Sequence, residues 1–181
     1  TWEHLALTRA RVVAGLGREA EDLGHEVEAL RLSVLRQAGP AARVMPDLAE
    51  MRARLFAAKR PDGRWEAKTG PGRLQDIDLL AQSCALRAGD PARATLAQLR
   101  AGQRAGLLTP EAAARLASIW RGFWRLHASG RLLTERALDM EAVGRGGQKF
   151  LLRETGAADL DALGARLDAE IREAEDLIDG L

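Results

Sequence analysis

The stretch LTPEAAARLASIWRGFWRLHASGRLL, residues 108–133, decides the fold class. It opens with Thr109 as an N-cap and Pro110 at the first helical position, a pairing that satisfies and pre-shapes a helix start. No Gly-Pro break follows before Leu133, so the spacing predicts one long helix. Trp120, Phe123, Trp124 and His127 recur at helical spacing, and aromatics so placed are expected in the core.

Working outward, the same periodicity returns on both sides. Toward the C-terminus, Leu160, Leu163, Leu167, Ile171, Ala174 and Ile178 form an apolar stripe over a helix from about Ala158 to Ile178. Between these two helices, Asp139 to Gly147 reads as a weak region, and Gly144-Arg145-Gly146-Gly147 as a flexible connection. Toward the N-terminus the predicted helices span Trp2–Ala14, Arg18–Gln37, Asp47–Lys59, Arg73–Arg87 and Ala92–Ala105. The first carries Trp2, Leu5, Ala6, Arg9 and Val13 on one stripe; the second has Leu23, Val27, Leu30 and Val34 as its seam. Gly15 and Gly17, Gly39-Pro40 and Gly89-Asp90-Pro91 punctuate them. No strand or internal repeat emerges. The expectation is an all-α fold, a helical bundle of about seven helices with short irregular connections.

Composition agrees. Of 181 residues, 46% are hydrophobic and 29% charged, aromatics are scarce and Tyr is absent, which favours helix over strand. The charges nearly cancel, 27 basic against 26 acidic, and interleave along the chain, which argues against a nucleic-acid partner. Cys84 is the lone cysteine, so no internal disulfide forms; no Cys/His cluster has metal-ligand spacing, and no metal site is expected. No apolar run is long enough to span a membrane, and no signal peptide is visible, so a cytoplasmic location is expected. The chain opens at Thr1 already in a helical pattern. Residues 1–181 are therefore expected to be a single helical domain, a fragment of a larger multidomain protein.

One segment carries chemistry. Arg60 to Gly72, RPDGRWEAKTGPG, is too rich in Gly and Pro for a helix, and it feeds directly into the helix that begins near Arg73. Lys68 stands just before the turn, and Gly70 and Gly72 let a backbone approach closely. A helix start with a nearby ammonium is a candidate anion site. Asp76 is placed in the first turn to cap the helix, while Gln75, Asp78 and Gln82 share one polar face. An ordinary loop with an N-cap is the equal alternative from the residues alone. No Ser/His/Asp set, phosphate-binding GxxxxGK[ST] loop or HExxH motif is present, so no catalytic residue is expected in this chain.

That segment, with the opening TWEHLALTRARVVAG of Thr1–Gly15, resembles bacterial glutamine synthetase adenylyltransferases. The likeness is to the helical domain following their C-terminal nucleotidyltransferase module; related helical domains occur in PII uridylyltransferases. Lys68, Gly70, Gly72, Asp76, Ile77 and Gln82 match the second motif, K-x-G-x-GG-x-x-DIEF-x-x-Q, and the MRARL run Met51–Leu55 also fits. Arg73 replaces the second glycine of the pair, Asp78 the Glu, Leu79 the Phe, and Leu16-Gly17 the Gly-Asp after the first motif.

The resemblance implies transfer of AMP from ATP to a tyrosine of glutamine synthetase, with Mg2+ as cofactor and the PII signal protein as a partner. The chemistry would belong to a preceding nucleotidyltransferase domain that carries a Gly-Ser followed by an Asp-x-Asp holding the metal. Here the Asp-x-Asp groups, Asp76-Ile77-Asp78 and Asp159-Leu160-Asp161, sit in helical patterns whose carboxylates diverge. The implied role of this chain is to close the nucleotide site from the other side. Lys68, Gly70 and Gly72 would meet phosphates, Arg9 and Arg11 would be secondary contacts, and Asp76, Asp78 and Gln82 would position. The alternative is a regulatory interaction module that binds PII or glutamine synthetase without touching nucleotide.

Overall fold

In a computed structural model the described residues are 2–14, 17–38 and 43–181, with the backbone alone at 18–20 and 38. Among them the chain forms eight α-helices and no strand. These are α1 (Trp2–Arg9), α2 (Gly17–Ala38), α3 (Val44–Ala58), α4 (Leu74–Ala88), α5 (Thr95–Arg104), α6 (Pro110–Leu133), α7 (Gly144–Thr155) and α8 (Leu160–Asp179). The all-α expectation holds. Thr1, the Gly15-Leu16 break and the Gly39-Pro40 stop lie outside the described residues.

The helices gather into two compact units. The first comprises 1–50 and 78–113, the second 51–77 and 114–181.

In the first unit, α1 stops at Arg9, short of the predicted Ala14, and Val13 is 81% exposed. Two β-branched residues at 12 and 13 resist continuation, and Arg93 Nε takes the carbonyl of Ala10 at 2.9 Å. The α2 seam is also corrected. Leu23 and Leu30 are 59% and 65% exposed, while Arg31 and Leu35 are buried. The cause is a polar anchor: Arg31 donates to the Pro91 carbonyl at 2.6 Å and to Glu28 at 3.2 Å, which turns α2 about its axis. Beneath α1, Gln98 Nε2 donates to Thr8 Oγ1 and to the carbonyl of Ala92. Buried polar groups are kept where such partners exist.

Helix α6 begins within the first unit as its sequence predicts, with Thr109 Oγ1 accepting from Ala112 N at 3.1 Å, and from residue 114 on it belongs to the second. Leu116, Ile119, Phe123 and Leu126 are its buried face, so the aromatic stripe is core only in part: Trp124 is 51% exposed. Gly144–Gly147 is not a connection but the first turn of α7. A Cβ on Gly147 would lie 2.8 Å from Val143 Cβ, so that glycine is a packing requirement. Asp159 caps α8 through Ala162 N at 2.7 Å, and Leu163, Leu167, Ala174 and Ile178 are buried as predicted.

Candidate functional site

The loop between α3 and α4 is a folded object rather than a slack connection. Glu66 Oε1 accepts from the backbone N–H groups of Lys68 and Thr69, at 2.7 and 3.2 Å. The carbonyls of Ala67 and Lys68 then accept from Leu74 N and Gln75 N, at 3.1 and 2.9 Å. The first two donors of α4 are thus taken up by the loop itself, and the side chain of Lys68 is exposed. Arg73 folds back across the loop, donating to the carbonyls of Glu66 and Pro71, so the residue in place of a family glycine braces the turn.

Gly70 and Gly72 are both buried with positive φ, 124° and 66°. A Cβ at Gly72 would lie 2.1 Å from the carbonyl oxygen of Ile171 on α8, and one at Gly70 would lie 2.7 Å from Pro61 Cγ. Each glycine permits a close approach, and the partners seen are α8 and the loop's own proline. Only a residue without Cβ fits such a contact at positive φ.

Asp76 fastens this loop from below. It is fully buried, accepts from Gly72 N at 2.8 Å, and forms a two-point pair with Arg52 at 2.6 and 2.9 Å. Arg52 reaches further to Asp179 near the end of α8, at 2.5 Å. Burial alone would lower the pKa of Arg52, but the two carboxylates outweigh it and raise it. Arg52 is a residue that sequence reasoning placed only in a matching run. Its role was signalled by nothing but the buried acid it must answer.

Lys68 lines a cavity of about 370 Å3 within the second unit. Lys59, Asp62, Trp65 and Glu66 line it from the loop, His127 and Arg131 from α6, and Arg136 from beyond α6. The volume falls in the range of small-molecule pockets. No ion pair ties Lys68 to a carboxylate among the described residues. Burial, followed by the nearby Lys68 ammonium, lowers the pKa of His127, so its imidazole is neutral at pH 7. Its convergence with Lys68 was invisible in sequence, because the two are 59 positions apart and no motif links them.

The other predicted residues fall elsewhere. Arg9 and Asp78 pair at 3.4 Å in the first unit, where Asp78 also accepts from Thr95 Oγ1 at 2.6 Å. Arg11 is exposed beyond α1, and Gln82 is half-buried in α4. With Asp76 committed to Arg52 and Asp78 to Arg9 and Thr95, these carboxylates do not fit a shared divalent ion. No group of three His, Cys, Asp or Glu among the described residues could hold one. No helix among them is long and apolar enough to cross a membrane.

The family described as GlnD PII-uridylyltransferase matches residues 48–177. A bifunctional glutamine synthetase adenylyltransferase/adenylyl-removing enzyme of Rhizobium meliloti is 43% identical over 93 residues, 51% of this chain and 9% of that protein. Proteins of the same name from Rhodopseudomonas palustris (strain BisB5) and Mesorhizobium japonicum are each 32% identical. They cover 95% and 92% of this chain, and 18% and 17% of their own lengths. The chain therefore spans less than a fifth of the relatives it matches.

Proposed function

The chain belongs to the GlnD PII-uridylyltransferase family, and we propose that it is the helical domain of an adenylyltransferase acting on glutamine synthetase. In this reading a neighbouring nucleotidyltransferase domain binds ATP and Mg2+, and the present domain closes the nucleotide site. Metal chemistry belongs to that neighbour. A tyrosine oxygen of glutamine synthetase attacks the α-phosphorus of ATP, the bond to the β-phosphate oxygen breaks, and pyrophosphate leaves. PII reports nitrogen status to the same enzyme.

The observation that carries the reading is Lys68, presented without a carboxylate partner on a cavity of about 370 Å3 by a loop held rigid from three sides. Its ammonium offsets charge on the departing phosphates. Gly70 and Gly72 shape the loop that aims it, and Asp76 with Arg52 holds that loop in place. Arg11 is the first unit's own candidate anion contact, with Arg9 engaged by Asp78. A charge-assisted contact contributes about 1.5–3 kcal/mol, or roughly 10- to 150-fold in rate. Lys68→Ala in an enzyme that includes the nucleotidyltransferase domain should lower AMP transfer by well over tenfold with an unchanged melting temperature. Near-normal turnover would remove Lys68 from the site.

Leu23, Val27 and Leu30 leave an apolar stripe of α2 exposed, as a module that binds PII or glutamine synthetase would. Leu23→Ser with Leu30→Ser should then weaken that binding while leaving turnover at saturating substrate intact. Unchanged affinity for both proteins would reject it.

A further inference from the structure

The part of α6 in the second unit, residues 114–133, contains four arginines and neither Asp nor Glu. Arg115 is spent on α8, donating to both carboxylate oxygens of Glu173 at 2.6 and 2.7 Å. Arg121 and Arg125 are exposed, and neither pairs with a carboxylate among the described residues; Arg121 reaches only the carbonyl of Ala117. At 100° per residue, Arg121, Arg125, Ala128 and Leu132 lie on one stripe, opposite the buried Ile119, Phe123 and Leu126. Leu132 is 79% exposed.

Along the edge of that stripe stands Trp124, whose indole stacks on Trp120 with ring centroids 5.7 Å apart and planes within 1°. Stacking holds an exposed indole in one orientation, which lowers the entropy lost when a partner covers it. An exposed Trp beside Arg residues without a carboxylate partner is the composition of an interface hot spot.

We propose that this outer face of α6 docks an acidic amphipathic segment of a partner protein, whose apolar stripe covers Trp124 and Leu132 and whose carboxylates meet Arg121 and Arg125. Charge selects the occupant. Two arginines with no acid on the same stretch of helix complement a carboxylate pair and repel a basic segment. Tracking a nucleic-acid backbone needs a longer run of cations. The planar guanidinium suits two-point carboxylate pairing. This surface is separate from the residues assigned above to phosphate contact, so it stands or falls independently of them.

The test uses the present chain and a fluorescein-labelled helical peptide of Leu, Ala and Glu, with Glu flanking a Leu stripe. A matched peptide with Lys for Glu and a single-stranded oligothymidylate serve as competing probes. Fluorescence anisotropy should show binding of the acidic peptide that weakens with added salt. Arg121→Glu with Arg125→Glu should lower the affinity at least tenfold, as should Trp124→Ala, with circular dichroism melts unchanged and Lys68→Ala without effect. The proposal is overturned if the acidic peptide does not bind, if the Lys peptide binds as well, or if both surface variants bind like the parent. Tighter binding of the oligonucleotide through the same residues would also overturn it, making the face a nucleic-acid platform.

Discussion

Replacing Gly72 by alanine should destabilise the fold through both its backbone conformation and a close approach to α8. Its φ of 66° is left-handed, a conformation that costs an L-residue about 1–2 kcal/mol. The new Cβ would also meet the Ile171 carbonyl oxygen at 2.1 Å, with Ile171 C and Glu175 N at 3.0 and 3.1 Å. All three are backbone atoms of α8, so no side chain can swing aside, and forcing them apart adds about 1–3 kcal/mol. The total is about 2–5 kcal/mol. Gly156 supplies the control: its φ is 67°, and nothing lies within 4 Å of its would-be Cβ. Gly156→Ala should therefore show only the backbone cost. Urea unfolding followed by circular dichroism measures both. If the two variants agree within about 0.5 kcal/mol, the close approach to α8 is not what the glycine serves, and the account of the loop is wrong.

Asp76→Ala leaves Gly72 N without its acceptor and Arg52 with Asp179 alone, a change that should cost about 1–3 kcal/mol in the same unfolding assay. A loss under 1 kcal/mol would refute it. His127 has a pKa lowered from 6.5, so the unfolded chain takes up its proton first as pH falls. Stability should accordingly drop as pH falls from about 6.5 through the folded value and then level off, and His127→Gln should flatten that segment. An NMR titration should place its pKa below 6.5, moving up in Lys68→Ala; no movement would separate the two residues. Burial pushes the Cys84 thiol up to about 12. A thiol reagent at pH 8 should leave it unmodified in the native chain and label it in denaturant.

What the sequence made legible was local. Thr109-Pro110 announced its helix because capping is decided within four residues, and the α8 stripe followed from period alone. The α2 seam misled because periodicity reports which face is apolar, not which face is covered. Arg31, a charged residue outside the seam, took the interior by finding the Pro91 carbonyl and Glu28. The same limit governs the site. The motif holding Lys68, Gly72 and Asp76 was readable as a unit. The reasons for its members lie on α3, on α8 and at His127 on α6, contacts that only folding brings together.

Contact between Lys68 and nucleotide phosphate is measured most directly by lysine acetylation read by mass spectrometry with and without ATP and Mg2+. It requires an enzyme containing the nucleotidyltransferase domain. Lys149 is exposed and remote in sequence from the loop, and serves as the internal reference. ATP should slow modification of Lys68 at least severalfold and leave Lys149 unaffected. Equal modification of Lys68 with and without ATP would contradict that contact.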